Sequence, residues 1–263
     1  MKMIKKFANK AYRKVVFSLW LLVWGLTPVY ADSELSELIE SAKRGDADAQ
    51  YELGAHYADG EGEGKDLSES VKWLRKAAEQ GHADAQYNIG LSYEMGVGVS
   101  KDQAVAVKWY RKAAEQGQSE AQYMLGMLYG VGEGVRKDHA AAVEWLQESV
   151  EQGLREAQYN LGVKYAEGQG VPQDWTAAAN WYRKSANQGI AIAQYNIGKR
   201  YAVGDGFPKD EIKAYAYLTL SASGGYEPAR KLQNELEEKM TRKAIEKAIK
   251  LSNELISGEQ KNQ

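Results

Sequence analysis

The feature that most constrains the fold of this chain is a hexapeptide that returns at a fixed spacing. Its copies are AQYELG at 49–54, AQYNIG at 85–90, AQYMLG at 121–126, AQYNLG at 157–162 and AQYNIG at 193–198. Successive copies lie 36 residues apart, and four glycine columns with the same period hold 21 of the 26 glycines. A period of this length is typical of solenoids, in which each repeat is one supersecondary unit. We therefore expect stacked copies of one small unit.

The spacing of apolar residues predicts two helices in each unit. In the first helix, Ala85 and Ile89 are four residues apart and therefore share a face. In the second helix, Ala106, Trp109 and Ala113 lie at i, i+3 and i+7, and an Asp precedes this segment in every unit, as expected for an N-cap. A glycine pair between the two segments is suited to ending the first helix in the left-handed conformation. Each unit is thus a helical hairpin with a short loop.

Three columns of the repeat lead to specific expectations about packing. A glycine in mid-helix, such as Gly90, costs about 1 kcal/mol relative to alanine, so its recurrence indicates that another backbone approaches closely. Pro228 stands in the column of Asp84, and because proline is tolerated only in a helix's first turn, the first helix begins a residue or two before that column. We expect one aromatic column to form the shared core. It consists of Trp73, Trp109, Trp145, Trp181 and Tyr217.

The repeated pattern A-Q-Y-x-L-G-x-x-Y-x-x-G-x-G-V-x-x-D-x-x-x-A-x-x-W-Y-x-K-A-A-x-x-G resembles the Sel-one-like repeat (SLR), a relative of the tetratricopeptide repeat. The resemblance covers residues 45–225 as five units, with modest departures such as Tyr217 in place of Trp. It implies an all-α fold, a right-handed α/α superhelical solenoid that binds proteins or peptides on its concave face. We expect an N-terminal capping helix at 32–44 and C-terminal capping helices and a tail at 226–263.

The resemblance leaves the partner open. Exported bacterial members of the family are associated with envelope assembly, stress responses, exopolysaccharide control and host interaction. We expect a non-enzymatic scaffold without a cofactor, and the main alternative is a periplasmic enzyme acting on cell-wall or β-lactam material. Some cysteine-rich relatives are described as penicillin-binding or hydrolysing, but this chain contains no cysteine. A third reading, an envelope regulator of a sensor or polysaccharide system, differs from the scaffold only in its partner.

The N-terminal residues have the composition of an export signal. Residues 1–31 contain six Lys or Arg and no acidic residue, and an uncharged apolar run extends over 15–26. Val29 and Ala31 suit the −3 and −1 positions of a cleavage site, so we expect 1–31 to be a signal peptide and the mature protein to be periplasmic or secreted. The run is shorter than the roughly 20 residues of a bilayer span, which disfavours the alternative of a permanent anchor.

The remainder of the chain is acidic, with 28 basic and 36 acidic residues. Nucleic acid is therefore not an expected partner, because its binding requires a basic surface. One segment imitates the start of a calcium loop, with Asp59, Glu61, Glu63 and Gly64 at positions 1, 3, 5 and 6, but position 12 is Ser70. No Walker-type phosphate loop or histidine pair with metal-ligand spacing is present in the sequence. We expect no metal site and no catalytic residues.

Information about a partner must lie in the columns that vary between repeats. By analogy with tetratricopeptide grooves, three groups of residues in the first helices are candidates for the binding surface. The groups are an acidic edge of Asp84, Glu120 and Glu156; an apolar strip of Leu91, Met95, Met127, Val131 and Val163; and Lys199 toward the C-terminal end. Such a surface suits an amphipathic helix or an extended peptide. The alternative is that the Met and Leu side chains pack against the next repeat.

Overall fold

The structure, a computed structural model, describes residues 28–59 and 66–257, which contain thirteen helices and no strand. The helices are α1 (Pro28–Arg44), α2 (Ala47–Asp59), α3 (Leu67–Glu79), α4 (Ala83–Met95), α5 (Gln103–Glu115), α6 (Ser119–Val131), α7 (His139–Glu151), α8 (Arg155–Glu167), α9 (Trp175–Asn187), α10 (Ala191–Val203), α11 (Glu211–Ser223), α12 (Glu227–Glu237) and α13 (Arg242–Ser257). None of these helices combines the length and the apolar character that crossing a bilayer requires. The apolar run 15–26 of the expected signal peptide lies outside the described residues.

These helices form two larger compact units, unit 1 and unit 2, each of which contains several repeats. Unit 1 ends at Gln118 and contains α1 and two helical hairpins, α2–α3 and α4–α5. Unit 2 begins at Ser119 and contains three hairpins, α6–α7, α8–α9 and α10–α11, followed by α12 and α13. Within each unit consecutive helices of the repeats pack against one another, so the hairpins are stacked in sequence order, and α12 and α13 both pack against α11. The all-α solenoid of helical hairpins that the sequence predicts is confirmed.

The ends of the helices follow the sequence signals closely. Asp102 has an extended backbone, and its carboxylate accepts a hydrogen bond from the Val105 amide at 3.0 Å, which confirms the predicted N-cap. The same cap is present at Asp66, Asp138, Asp174 and Asp210. Gly96 ends α4 in the left-handed conformation, with φ of 70°. Helix α12 begins one residue before Pro228, as predicted.

The mid-helix glycine column faces both a large side chain and the backbone of the second helix in the same hairpin. A Cβ on Gly90 would lie 2.6 Å from two ring atoms of Tyr110, and one on Gly126 would lie 2.7 Å from Cγ of Leu146 and 3.1 Å from the carbonyl oxygen of Ala142. The expected close approach of a second backbone is therefore present at Gly126, but the nearest neighbour is a large side chain. Because paired helix axes lie about 8–10 Å apart, one residue must be small where the other is large.

The aromatic column also needs a correction. The tryptophans at 73, 109, 145 and 181 are only half-buried, whereas the next residue in each repeat is buried. Those buried residues are Leu74, Tyr110, Leu146, Tyr182 and Leu218. Tyr217 is buried, at 6% exposure. Adjacent residues of a helix point about 100° apart, so only the column beside the glycine enters the hairpin, while tryptophan lies at the margin of the core.

The glutamine of the repeated hexapeptide has a specific structural role. The buried Gln86 donates from Nε2 to the carbonyl oxygen of Ala78 in the preceding hairpin, at 3.1 Å. Its Oε1 accepts from Gln116 Nε2 at the end of α5, at 2.7 Å. The equivalent glutamine pairs are 50–80, 122–152 and 158–188. Each glutamine therefore links the start of the first helix to the end of the second helix in its hairpin. These hydrogen bonds satisfy its buried amide group, whose burial without a partner would be costly.

Candidate partner-binding surface

The three candidate residues of unit 1 differ in their access to solvent. Asp84 is exposed near the start of α4, and Met95, at the end of the same helix, is 37% exposed. Leu91 is only 2% exposed, so its side chain offers almost no surface to a partner. The two accessible residues lie eleven positions apart, or about 16 Å along the helix axis. In unit 1 the structure thus separates the acidic and the apolar candidates along one helix.

In unit 2 the acidic candidates are not equivalent. Glu120 is exposed, whereas the side chain of Glu156 is only 11% exposed and lies 3.0 Å from Nε of Arg155. Glu156 therefore has a counter-ion within its own helix, which reduces what its charge can offer to a partner. A charge reversal at Glu156 would also break this internal ion pair.

The apolar candidates of unit 2 differ in exposure as well. Met127 and Val163 are half-buried, and Val163 packs against the core of unit 2. Val131, at the end of α6, is 54% exposed, and Lys199 on α10 is exposed. The most accessible apolar surface therefore lies at the C-terminal end of a first helix rather than in its middle.

Tyrosine and asparagine side chains join the first helices of neighbouring repeats in unit 2. Asn160 donates from Nδ2 to the hydroxyl of Tyr123 at 3.3 Å and to the carbonyl oxygen of Glu156 at 2.9 Å. Burial raises the pKa of Tyr123, and the nearby charge of Glu156 raises it further, whereas the hydrogen bond with Asn160 lowers it. Asn88 and Asn196, the equivalents of Asn160, form the same hydrogen bond with Tyr51 and Tyr159, so these asparagines are structural.

Two features of the molecular surface are not among those predicted from the sequence. Val203 is 67% exposed and is the equivalent in α10 of Met95 and Val131, so the 36-residue period could have identified it. In unit 1, an open groove of about 480 Å³ runs between α1 and α2. Its acidic lining residues are Glu34, Glu37, Asp46, Asp48 and Glu52. The groove could not be predicted, because α1 lies outside the repeated pattern.

A further group that the sequence did not single out lies in unit 2. Lys164 is half-buried, and its Nζ donates to Oε1 of Gln169 at 3.0 Å. The same Nζ lies 3.2 Å from the position that a Cβ on Gly130 would occupy. In the next repeat, the residue equivalent to Lys164 is Arg200, which forms an ion pair of 2.7 Å with Asp205. Equivalent cations in adjacent repeats thus have different surroundings.

The basic residues of the second helices interact with the tryptophan column. Lys76 lies over the ring of Trp73, with Nζ 3.8 Å from the ring centroid. Lys112 over Trp109 and Lys184 over Trp181 show the same arrangement at 4.3 and 4.1 Å. These lysines are exposed, and each covers a half-buried ring.

Among the residues 28–59 and 66–257, no three His, Asp or Glu side chains are grouped closely enough to hold a metal ion. Positions 61, 63 and 64 of the calcium-like segment lie outside the described residues. The polar residues that recur in the described repeats cap helices or pair with one another. The arrangement is therefore that of a helical-repeat protein in which the exposed apolar residues Val131 and Val203 lie in a variable column.

Comparison with known proteins identifies the family. The Sel1 repeat matches five consecutive segments of the chain, at 47–82, 83–118, 119–154, 155–190 and 191–226. The chain belongs to the Sel1 repeat family, and the resemblance seen in the sequence is confirmed. Proteins of this family generally act as protein-interaction scaffolds and are typically non-enzymatic. No curated protein sequence matches this chain.

The solved structures that are similar to this chain include two that are more than a third identical to it. One is a protective antigen present in uropathogenic Escherichia coli strains that displays an SLR fold; it is 35% identical, with a TM-score of 0.76 over 86% of this chain and 48% of its own. The other is a Sel1 repeat protein from Oxalobacter formigenes; it is 37% identical, with a TM-score of 0.69 over 78% of this chain and 60% of its own. This chain therefore spans about half to three fifths of the length of these relatives.

Proposed function

We propose that the protein is a non-enzymatic scaffold, exported to the cell envelope, that binds a partner protein or peptide along the first helices of its repeats. The observation that carries this proposal is that the recurrent and the variable columns of the repeat have different roles. Repeated polar residues are used inside the fold, whereas exposed apolar residues occur in the columns that vary.

The repeated residues have internal roles. Gln86 joins two hairpins and Asp102 caps a helix, and their equivalents do the same in other repeats. A catalytic site needs convergent polar groups that are available to a substrate, such as a nucleophile beside a base. The columns that recur most strictly are instead engaged in maintaining the fold, which supports the scaffold over the cell-wall enzyme.

The variable columns provide accessible apolar surface. In unit 2, Val131 and Val203 are 54% and 67% exposed, and between them in the chain the same column contains the exposed Glu167 of α8. Exposed apolar side chains bordered by charges are the usual composition of a protein-binding patch, in which a few apolar anchors supply most of the affinity. The partner is thus expected to contribute apolar side chains.

Export is supported by the basic N-terminal segment and its apolar run, features of the sequence. The similar Escherichia coli protein is a protective antigen, which is also compatible with a place at the cell surface. An envelope or host protein is therefore the proposed partner.

Site-specific cross-linking tests the scaffold. A photoreactive phenylalanine analogue is introduced at Val203 or, as a matched control, at Ile256 on α13, which is 72% exposed. Irradiation in the producing cells should yield a discrete protein adduct, found in the envelope fraction and identified by mass spectrometry, from position 203 and not from 256. Equal adducts at both positions, or none at 203, would contradict the proposed surface. Recovery of cell-wall fragments without protein would favour the enzyme alternative.

A further inference from the structure

The ammonium group of Lys164 is half-buried without a carboxylate partner. Its Nζ donates to the amide oxygen of Gln169 at 3.0 Å, and none of the ion pairs within 28–59 and 66–257 involves this lysine. Burial lowers the pKa of Lys164; Glu167 acts in the opposite direction and Lys137 adds to the lowering. A partly desolvated charge is usually compensated by an opposite charge. Glu167 attracts the ammonium group electrostatically, but no carboxylate of the described residues forms an ion pair with it.

The equivalent residues of the next repeat include a carboxylate partner, which Lys164 lacks. Arg200 stands 36 residues after Lys164, and Asp205 stands 36 residues after Gln169. Arg200 Nη1 and Asp205 Oδ2 are 2.7 Å apart, so the last repeat neutralises its cation with its own loop. In the preceding repeat the loop has an amide in the same place. The amide oxygen can orient the lysine, but it cannot neutralise it.

The ammonium group of this lysine also packs closely against Gly130 of α6. A Cβ on Gly130 would lie 3.2 Å from Nζ of Lys164, so any larger residue would crowd the ammonium group. The column of Gly130 contains Ala166 in the next repeat, and the ion pair between Arg200 and Asp205 lies one repeat further on. The neighbour of Gly130 is the exposed Val131, which belongs to the apolar surface described above. The uncompensated charge thus lies beside an apolar anchor.

We propose that Lys164, with Gly130 and Gln169, forms a site for a carboxylate of the bound partner, either an acidic side chain or a C-terminus that follows an apolar residue. The ammonium group donates to the carboxylate, Gly130 lets the lysine side chain lie against α6, and Val131 contacts the adjoining apolar side chain. The proposal rests on the proposed scaffold function, because it names the chemistry by which that surface recognises its partner.

Titration with a small carboxylate tests the site. The probe is N-acetyl-leucine, with the uncharged N-acetylleucinamide for comparison, at pH 7 and constant ionic strength. The signals of the Lys164 ε-methylene group are followed by NMR. They should shift in a saturable manner with the acid and not with the amide. Equal shifts with both compounds would overturn the proposal.

The variant Gln169→Asp gives the sharpest comparison, because it copies the ion pair of the last repeat into this one. It should keep the thermal unfolding temperature of the parent protein and weaken binding of N-acetyl-leucine at least tenfold. Asn253→Asp, an exposed position on α13, adds the same charge away from the site and should leave binding unchanged. Undiminished binding by Gln169→Asp would contradict the assignment.

Cross-linking separates this proposal from the scaffold itself. If the partner adduct at Val203 falls at least tenfold in Gln169→Asp but not in Asn253→Asp, the carboxylate site is supported. If the adduct is unchanged in both variants, the scaffold stands and the carboxylate site is wrong. If the parent protein forms no adduct, the scaffold fails, and the titration alone decides whether Lys164 binds carboxylates.

Discussion

The second repeat (83–118, in unit 1) and the fourth repeat (155–190, in unit 2) have the same packing but different polar chemistry. In both, the hexapeptide glutamine pairs with the glutamine that ends the second helix, at 2.7 and 3.0 Å. In both, the mid-helix glycine faces a tyrosine ring, Tyr110 in one repeat and Tyr182 in the other. These shared packing contacts, here called the frame of the hairpin, are therefore the same in both units.

The differences concern single polar groups added to that frame. The buried Tyr110 donates to the carboxylate of Glu94 at 2.5 Å, whereas the residue equivalent to Glu94 in the fourth repeat is Ala166. Conversely, Ser185 donates to the carbonyl oxygen of Arg155 at 2.7 Å, where the second repeat has Ala113. Equivalent positions can thus contribute unequally to stability. Substituting the same column in both repeats distinguishes the contribution of the shared packing from that of the added polar groups.

The largest effect is expected where a loop glycine contacts the backbone of the preceding hairpin. At both Gly98 and Gly170, φ is positive, and a Cβ would overlap a carbonyl oxygen, that of Leu67 or His139. Gly206 also has positive φ, but its nearest neighbour, the oxygen of Trp175, would be 3.4 Å away. Substitution by alanine should cost about 3 kcal/mol at 98 or 170, from left-handed strain and overpacking together. At 206 the strain alone should cost about 1 kcal/mol.

Urea unfolding of the three variants checks this order. Equal losses at 98 and 170 would support a common frame in the two units. A loss at 206 as large as that at 170 would show that the left-handed backbone, and not the close contact, determines the cost.

A smaller effect is expected from the tyrosine hydroxyl groups. Tyr110→Phe leaves the buried Glu94 without this donor, and loss of a hydrogen bond to a charged group costs about 1.5–3 kcal/mol. Tyr182→Phe should cost less than about 0.5 kcal/mol, since no hydrogen bond of its hydroxyl group is present within the described residues. The free energies of unfolding of the two variants give the comparison. Similar losses in both would show that the ring environment, rather than Glu94, makes the hydroxyl group important.

The same pair predicts a pH dependence. Burial, followed by the charge of Glu94, raises the pKa of Tyr110 well above its ordinary value near 10. The unfolded chain therefore loses this proton first, so the stabilisation is fully present below about pH 10 and is lost as the pH rises further. Tyr110→Phe should show a shallower loss of stability above pH 10 than the parent protein. An unchanged slope would mean that Tyr110 is not a main contributor to alkaline unfolding.

The local parts of the fold could be predicted from the sequence, because their causes are local. Asp102 caps the helix that follows it, and Pro228 fixes the start of α12, whatever the rest of the chain does. The 36-residue period cannot show whether Trp109 or its neighbour Tyr110 enters the hairpin, because both columns contain a large apolar or aromatic residue in every repeat and both lie near the apolar face. Only the packed hairpin shows that Tyr110 faces Gly90. The pairing of Gln86 with Gln116 was missed because it joins residues 30 positions apart.

The candidate surface was harder to predict, since exposure depends on the size of neighbouring residues. Leu91 and Val163 occupy one column, yet Leu91 is buried and Val163 is half-buried. The charge on Lys164 could be read from the sequence, but its lack of a carboxylate partner depends on the loop that reaches Gln169. A column that varies can therefore be identified from the sequence, whereas the accessible members of that column cannot.

The smallest effect is expected from the lysines that cover tryptophan rings. The third repeat has Glu148 where the second repeat has Lys112, so Trp145 lacks the covering ammonium group that Trp109 has. Glu148→Lys should stabilise the protein by about 0.5 kcal/mol, the usual size of an exposed cation–π contact. Glu148→Gln measures the benefit of merely removing a negative charge near a helix C-terminus. If Lys and Gln at 148 give the same gain in thermal stability, the gain arises from removing the carboxylate of Glu148, and neither the ring contact nor the positive charge of the lysine adds to it.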